Sequence, residues 1–258
     1  MLRAVAAPSD VRQHQIGSDS VYGPVRSRRY GLTLGVNVLP PDRKACRYSC
    51  AYCQLGHSRG LPPDDAYPAP GAIREALERA ARADFEAIVI CGNGEPTLHP
   101  AFAAVVEEIL RLRDERFGGR PVVCLTSGSE LHRHDVVEAL RRLDEASVKL
   151  DAGRCSTLRR VAVAPTPVCV DWLTWKIRSL GGAVVQTCFI DGPVTNSTDE
   201  EVEAWIGAIL EASPRRVDVY TIDRPPPSAH VRAVTSERLE QIATRLRRGA
   251  NVPVRVVT

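Results

Sequence analysis

The sequence predicts an α/β fold in which six βα units form a partial barrel. Short runs rich in β-branched residues alternate with amphipathic helical stretches along the 258 residues, a pattern typical of a parallel sheet covered by helices. Hydrophobic residues make up 44% of the chain, which is enough for one sizeable core. An open flavodoxin-like or Rossmann-like sheet is the alternative, because counting units does not reveal curvature.

Strands are predicted where β-branched runs are bounded by turn residues. In chain order they are Leu32–Val38, Ala87–Cys91, Val122–Thr126, Ser147–Asp151, Ala183–Ile190 and Val217–Ile222, with a weaker seventh at Val252–Val257. Helices are predicted between them, where apolar residues recur with a helical period. They lie near Ala72–Ala81, Ala101–Arg113, His134–Arg142, Asp171–Leu180, Asp199–Glu211 and Ser236–Arg247.

The first residues of the chain are polar and show no sustained period. We therefore expect residues 1–22 to form an N-terminal arm and residues 23–258 to form a single domain. The net charge of +3 comes entirely from residues 1–29, where five arginines oppose Asp10 and Asp19. The rest of the chain balances to zero, which argues against a broad nucleic-acid-binding surface.

The composition also bears on the compartment. No run approaches the roughly 18 apolar residues that a membrane span requires. The first residues, Met-Leu-Arg-Ala-Val-Ala-Ala-Pro, lack the apolar core of a signal peptide. We therefore expect a cytoplasmic protein with reduced thiols and no membrane partner.

Three cysteines with C-x3-C-x2-C spacing, Cys46, Cys50 and Cys53, follow the first predicted strand. Three thiolates can hold three irons of a [4Fe–4S] cube and leave the fourth iron open to a small molecule. Structural zinc usually takes four ligands in two close pairs; His57 could complete a set, but no second C-x2-C pair occurs. The other five cysteines are isolated from one another along the chain: Cys91, Cys124, Cys155, Cys169 and Cys188.

Unusual polar residues follow several predicted strands. Residues 92–97 come after the second strand, 126–128 end the third and 220–224 end the sixth. Ligands bind at the carboxyl ends of parallel strands, so these residues are expected on one rim. Glu95 could present an acceptor to a ligand there, or it could be solvated in a tight turn.

The fourth predicted strand carries charge on one face. A period of two places Ser147, Lys149 and Asp151 together, and helices are expected to cover the opposite, apolar face. The polar face then either contains a purely structural Lys149–Asp151 ion pair or binds a zwitterionic or hydroxylated ligand. The same period makes Gln186 a candidate on the fifth strand.

Arginines and histidines supply further candidates. Arg28, Arg29 and Arg224 could bind a phosphate or carboxylate. For Arg28 and Arg29 solvated surface charge is the favoured interpretation, whereas Arg224 is expected on the rim. His57 and His99 could donate protons, although lone histidines beside loops are more often polar surface.

The motif Cys46-x3-Cys50-x-Tyr52-Cys53 resembles the cluster signature of the radical S-adenosylmethionine (radical SAM) superfamily, including the aromatic residue before the last cysteine. Residues 93–96, Asn-Gly-Glu-Pro, resemble its Gly-Gly-Glu motif, with asparagine in place of the first glycine. The similarity extends over roughly residues 22–258 to stand-alone wyosine-synthase-like Fe–S oxidoreductases. It is carried by residues 22–29, 34–37, 147–151, 186–187 and 220–225, whereas residues 153–160 depart from an Asn-Arg-Pro element that such relatives often carry.

The resemblance implies two cofactors, a [4Fe–4S] cluster and S-adenosylmethionine, and an electron donor such as flavodoxin or ferredoxin. It implies reductive cleavage of S-adenosylmethionine to a 5′-deoxyadenosyl radical, which abstracts hydrogen from a substrate. The implied roles are iron ligation by Cys46, Cys50 and Cys53; an adenine contact at Tyr52; an amino-group contact at Asn93, Gly94 and Glu95; and a carboxylate or ribose contact at Lys149 or Ser127. Gln186 is expected to line the ligand site, and Asp151, Tyr220 and Arg224 are expected on the substrate side as catalytic candidates.

Three functions are compatible with these features. The leading hypothesis is a radical enzyme acting on a small anionic metabolite, such as a nucleotide or sugar derivative. A tRNA-modifying radical enzyme is the second, suggested by the resemblance to wyosine-synthase-like oxidoreductases and by the basic N-terminal segment, residues 1–29. A zinc-binding interaction protein is the third.

Overall fold

The computed structural model describes residues 19–80, 84–164 and 169–258. Strands were expected from the β-branched runs, and the described residues form nine of them. The strands are β1 (Val21–Ser27), β2 (Gly31–Val36), β3 (Ala87–Ile90), β4 (Val122–Thr126), β5 (Glu145–Lys149), β6 (Val184–Asp191), β7 (Arg216–Thr221), β8 (Arg232–Ala233) and β9 (Val254–Val257).

One curled sheet contains all of these strands. Its spatial order is β1-β2-β3-β4-β5-β6-β7-β9, and β8 pairs with β6. The strands from β2 to β7 are parallel to their neighbours, and β9 is parallel to β7. A hairpin makes β1 antiparallel to β2. The predicted partial barrel of six βα units is confirmed.

Helices connect the parallel strands and cover their outer face. They are α1 (Pro70–Ala80), α2 (Phe102–Arg116), α3 (His134–Arg141), α4 (Cys155–Ala162), α5 (Val170–Ser179), α6 (Asp199–Ala212) and α7 (Ser236–Gly249). Two short 3₁₀ turns lie at Asp64–Ala66 and Pro96–Leu98. The Thr198 and Thr235 side chains accept hydrogen bonds from the first turns of α6 and α7, which fixes where these helices begin.

The predicted elements agree with the structure to within three residues at each end; the expected last residue of the first helix, Ala81, lies outside the described residues. Two larger elements were missed. The first is β1, which contains Gly23 and Pro24 and exposes much of its surface, so it lacks a clear period. The second is α4, only eight residues long. Of the expected N-terminal arm, residues 1–18 lie outside the described residues, and β1 already begins at Val21.

The two faces of β5 show how the layers are separated. Val148 and Leu150 are fully buried in the core between sheet and helices. Ser147 and Lys149 alternate with them, and Lys149 contacts Tyr220 of β7 across the concave side of the sheet. The prediction that the polar face points into the lumen is confirmed.

The β1–β2 hairpin turn contacts the strands at the far edge of the sheet. Arg255 on β9 donates a hydrogen bond to the Arg29 carbonyl at 2.9 Å. Arg28 forms an ion pair with Asp223, which follows β7, at 3.2 Å. The two edges of the sheet therefore meet through side chains and not through a strand ladder.

Candidate active site

The cysteine loop follows β2 and lies across the upper end of the lumen. Cys46, Cys50 and Cys53 are all free thiols, with Cys50 buried and the other two partly exposed. Turns hold the loop in shape: the Cys53 amide donates to the Cys50 carbonyl at 2.9 Å, and Ser58 Oγ donates to the Cys46 carbonyl at 2.5 Å. Hydrogen bonds within residues 46–58 thus fix the shape of the loop.

A short parallel bridge joins this loop to the turn after β3. The Ala45 amide donates to the Asn93 carbonyl at 2.9 Å, and the Glu95 amide donates to the Ala45 carbonyl at 2.8 Å. Gly94 lies between these bonds with φ +146°, and a Cβ atom there would lie 1.9 Å from the Ala45 carbonyl oxygen. Only glycine fits this approach, because any side chain would clash with the loop.

The other side of the cysteine loop is attached to α4. The Ala51 amide donates to the Val161 carbonyl at 2.8 Å, and the Ser49 amide donates to the Ala162 carbonyl at 3.1 Å. The end of α4 therefore supplies acceptors to the loop. Sequence reasoning missed this helix, although Leu158, Val161 and Ala162 have the i, i+3, i+4 spacing of a buried helical face.

Glu95 is not solvated. It is 2% exposed, and its carboxylate links the turn after β3 to the end of β4. Oε1 accepts from the hydroxyls of Thr97 and Thr126, each at 2.6 Å, while Oε2 accepts from the Ser127 amide at 2.6 Å. The tight-turn interpretation with a solvated carboxylate was wrong, and the side chain is a structural brace beneath the predicted S-adenosylmethionine contact.

Asn93 has a structural role that glycine could not perform. Its side-chain Nδ2 donates to the Pro40 carbonyl at 2.9 Å, and its backbone amide donates to Asn37 Oδ1 at 3.1 Å. Asn37 is thus a further residue of the site, and its sequence position predicted no role for it. The asparagine that replaces the first glycine of the motif anchors the turn to the segment after β2.

A chain of polar side chains lies directly beneath the cysteine loop. Lys149 Nζ donates to the Tyr52 hydroxyl at 2.6 Å and to the Tyr220 hydroxyl at 3.2 Å. The Tyr52 hydroxyl in turn donates to the Asp151 carboxylate. Asp151 also accepts from the Cys188 amide at 2.9 Å. Among the described ion pairs none joins Lys149 directly to Asp151, so Tyr52 bridges the pair that the sequence had suggested.

The protonation states follow from this arrangement. Burial opposes the charge of Lys149, but the neighbouring Tyr220 and Asp151 hold its pKa well above its usual value. Burial and the Asp151 charge raise the pKa of Tyr52 well above its usual value. An ammonium, a neutral phenol and a carboxyl group therefore lie in a row, and the phenol is available as a hydrogen-bond donor.

Gln186 and Arg29 form a second layer lower in the lumen. Gln186 Oε1 accepts from Arg29 Nη1 at 2.8 Å, and Gln186 Nε2 donates to the Ser147 carbonyl at 2.9 Å. The Arg29 guanidinium also lies 5.5 Å from the centre of the Tyr220 ring. Surface charge was the wrong interpretation for Arg29, since the hairpin turn directs its side chain into the barrel.

An ionic network that sequence reasoning missed fills the base of the lumen. Asp218 on β7 is fully buried and accepts from Arg216 Nε at 2.8 Å and Arg255 Nε at 2.9 Å. Arg216 also binds Glu145 at 2.9 Å. The period of two on β5, β7 and β9 could have indicated these residues, because each has the parity of a lumen-facing position.

The remaining candidates have different surroundings. Arg224 is exposed beyond the end of β7, and Arg28 pairs with Asp223. His57 is exposed, whereas His99 is buried and bonded to the Pro68 carbonyl and the Ala101 amide. The expectation that His99 is polar surface was therefore wrong. A pocket under the cysteine loop gathers residues from several elements: Tyr48, Cys50, Ser127, Lys149, Asp151, Leu158, Ala162 and Leu173.

The donor set suits a cubane cluster held by three protein ligands. The Tyr48 amide points at Cys46 Sγ, 3.4 Å away, in the manner of an amide that stabilises a thiolate. Burial raises the pKa of the Cys46 and Cys50 thiols to about 12, so iron binding has to displace protons. In the ranges that the structure describes, no three His, Cys, Asp or Glu side chains converge on one metal ion. A cubane does not require such convergence, because each thiolate binds a different iron.

The sequence profile of the radical SAM superfamily matches residues 43–217, which includes the cysteine loop and the four complete βα units that begin with β3, β4, β5 and β6. The chain belongs to the radical SAM superfamily. Enzymes of this superfamily use a [4Fe–4S] cluster and S-adenosylmethionine. In the part of the chain that the structure describes, no helix is long and apolar enough to span a membrane.

Two relatives are similar to this radical SAM protein over most of its length. A UPF0026 protein of Helicobacter pylori is 28% identical over 212 residues, 80% of this chain and 67% of the relative. A protein named GTPase Obg from Brachyspira hyodysenteriae is 29% identical over 230 residues, 86% of this chain but 32% of the relative. The chain therefore spans about two thirds of the length of the first relative and about one third of the length of the second.

The likeness to solved structures concerns the fold. A radical SAM methyltransferase from Sphaerobacter thermophilus has a TM-score of 0.64 at 17% identity, covering 87% of this chain and 65% of that one. A structure of TYW1 with a lysine-pyruvate adduct bound has a TM-score of 0.62 at 13% identity, covering 86% of this chain and 76% of that one. The half-barrel is thus shared by radical SAM enzymes of different sequence.

Proposed function

We propose that this chain is a radical enzyme that takes hydrogen from a small anionic metabolite, such as a nucleotide or sugar derivative. The bound cluster and S-adenosylmethionine would supply a 5′-deoxyadenosyl radical as the hydrogen acceptor. The chain's own residues bind and orient the substrate and keep the lumen apart from bulk water. A flavodoxin or ferredoxin would supply the electron.

The observation that carries this proposal is that the ammonium group of Lys149 has one more hydrogen-bond donor than the neighbouring side chains accept from. It has three N–H donors, of which Tyr52 and Tyr220 receive two. The third is available to a ligand in the pocket that Lys149 lines. An anionic group is the natural acceptor, because it gives a charge-assisted hydrogen bond.

The roles proposed for the site residues follow from their positions. Cys46, Cys50 and Cys53 would hold the cluster, and the Gly94 segment would meet the amino group of S-adenosylmethionine. Ser127 lines the same pocket and would meet the carboxylate or ribose of S-adenosylmethionine, which leaves Lys149 to the anionic group of the substrate. Tyr52, Asp151, Gln186 and Tyr220 would orient the ligands, and Arg224 would face the entrance.

The direct test uses anaerobically reconstituted, reduced protein with S-adenosylmethionine and a panel of nucleotides and phosphorylated sugars. The true substrate should increase formation of 5′-deoxyadenosine and should transfer deuterium to it from a labelled carbon. Failure of every anionic metabolite, together with turnover on a neutral one, would contradict the proposal.

Lys149→Met tests the role of the charge, and Lys176→Met is its matched control. Lys149→Met should raise the KM for the anionic substrate by about tenfold or more, because a charged hydrogen bond is worth roughly 1.5–3 kcal/mol. Lys176→Met removes another lysine, one that packs over Trp175 on α5, and should leave the KM unchanged. Equal effects of both substitutions would argue against a specific anion contact.

A tRNA substrate is the second candidate. It is favoured by two exposed arginines of the basic N-terminal segment, Arg26 on β1 and Arg28 just after it. The fold shared with TYW1 also favours it. A salt-sensitive shift of tRNA in a gel would support it, since phosphate contacts weaken with salt. Absence of binding at low salt would leave the small metabolite as the substrate.

A further inference from the structure

Cys155 and Cys169 are 14 residues apart in sequence and lie side by side in the fold. Cys155 is the first residue of α4, and Cys169 directly precedes α5. Their Sγ atoms are 3.8 Å apart, and neither cysteine is in a disulfide. Tertiary structure has therefore paired two thiols that were expected to be isolated.

The surroundings of the pair favour reaction. Cys169 is exposed and Cys155 is partly exposed. Cys155 Sγ accepts a hydrogen bond from the Val170 amide at 3.2 Å, which holds this sulfur beside the residue that follows Cys169. In contrast, Cys124 and Cys188 are buried. An oxidant in solution would thus reach Cys169 and find Cys155 next to it.

We propose that Cys155 and Cys169 form a redox-active dithiol that a small disulfide, such as glutathione disulfide, converts into an intramolecular disulfide. The Cys169 thiolate attacks one glutathione sulfur, so that a mixed disulfide forms and one glutathione leaves. The Cys155 thiolate then attacks Cys169 Sγ, the mixed disulfide breaks and the second glutathione leaves. The protein loses two protons and two electrons, and glutathione disulfide is reduced to two thiols.

The bond would tie together two walls of the pocket. Its ends lie at the start of α4 and just before α5, while Val161 and Ala162 at the other end of α4 accept hydrogen bonds from the cysteine loop. Leu158 of α4 and Leu173 of α5 line the same pocket. Oxidation at this surface would therefore fix the spacing of α4 and α5 without consuming a thiol of the C-x3-C-x2-C motif.

The test uses the full chain with its cluster reconstituted, incubated anaerobically in glutathione buffers of increasing oxidised fraction. Free thiols are then blocked with N-ethylmaleimide and the protein is digested with trypsin. A linked pair of peptides, residues 155–159 and 161–176, should accumulate with a mass two hydrogens below the sum of the free peptides. Excess reduced glutathione should reverse the linkage.

Two conservative variants complete the experiment. In Cys155→Ser the linked peptide should be lost, and glutathione should stay attached to Cys169. In Cys169→Ser both products should be lost. Persistent glutathione on Cys169 of the unmodified chain, or no oxidation of either residue, would overturn the proposal. The readout is a peptide mass, so the result is independent of whether the proposed substrate is right.

Discussion

At the scale of single residues, the site depends on side chains that brace other groups as much as on those that could touch a ligand. Glu95 shows this most clearly. Its carboxylate receives hydrogen bonds from Thr97, Thr126 and Ser127, so it fixes the ends of two strands. The turn that carries Gly94 is thereby held against the cysteine loop.

Gly94→Ala should disrupt this site. The new Cβ would lie 1.9 Å from the Ala45 carbonyl oxygen in a backbone conformation with φ +146°. We expect a loss of more than about 2 kcal/mol in the free energy of unfolding and a lower iron content after reconstitution. Denaturant titration and iron analysis would measure both effects.

Gly71→Ala is the matched control for that substitution. Gly71 lies in the first turn of α1, and a Cβ there would meet nothing within 4 Å. We expect stability equal to the original or greater by up to about 1 kcal/mol, because alanine favours helix. Destabilisation by both substitutions to the same degree would contradict the role assigned to the Gly94 contact.

His99 should make stability depend on pH. Burial lowers the pKa of its ring below the ordinary value of 6.5. At a pH just below 6.5 the unfolded chain therefore binds a proton at His99 and the native state does not. The free energy of unfolding should therefore fall as pH decreases through 6.5 toward the lower, native pKa of His99.

The measurement for His99 compares denaturant unfolding at several pH values. His99→Gln should show a shallower decrease in stability between pH 7 and pH 5 than the original chain. Substitution of the exposed His57 by glutamine should leave the slope as it is. A slope that does not respond to the His99 substitution would mean that other groups cause the dependence.

At the scale of elements, the alternation of side chains along each strand separates core from lumen. The outward residues of β7, Val217 and Val219, are fully buried against helices. The inward residue Asp218 is also fully buried but is bonded to arginines of β7 and β9. This pairing joins the last two strands where the sheet has an edge.

Asp218→Asn should weaken that junction. Both arginines would lose their shared carboxylate, and breaking a buried ion pair typically costs about 3–5 kcal/mol. Arg216 would retain Glu145 as a partner, so we expect the lower part of that range. Asp84→Asn, whose ion pair with Arg120 is exposed, should cost less than about 1 kcal/mol in the same denaturant titration.

At the scale of the whole molecule, the cysteine loop is where distant parts of the chain meet. It is hydrogen-bonded to the turn after β3 and to the end of α4, and its Tyr52 reaches β5. A cluster bound there would exist only in the folded state. Binding would therefore stabilise the fold as a unit.

Cluster loading should accordingly raise the melting temperature. For a chain of this size each kcal/mol of linkage corresponds to about 2–4 °C, so we expect a rise of several degrees. Anaerobic calorimetry of the protein before and after reconstitution would measure it, and Cys50→Ala should abolish the difference. An equal rise in that variant would show that the iron binds elsewhere.

Much of the fold could be predicted from the sequence by itself. The six βα units, the position of the cysteine loop after the first predicted strand and the polar face of β5 all follow from residue order and local periodicity. Apolar residues recur with helix and strand periods along the sequence because each parallel strand must bury its outer face. The residues gathered at the upper rim were predictable for the same reason, since all parallel strands end there.

Only the tertiary structure decided which side chains meet. Tyr52 stands between Lys149 and Asp151, Arg29 enters the lumen from a hairpin turn, and Cys155 lies against Cys169. These contacts join residues from separate elements, and their geometry depends on how far the sheet curls and how the helices pack against it. Local periodicity does not predict that curvature. It indicates which face of an element is buried, but not which residue of another element contacts that face.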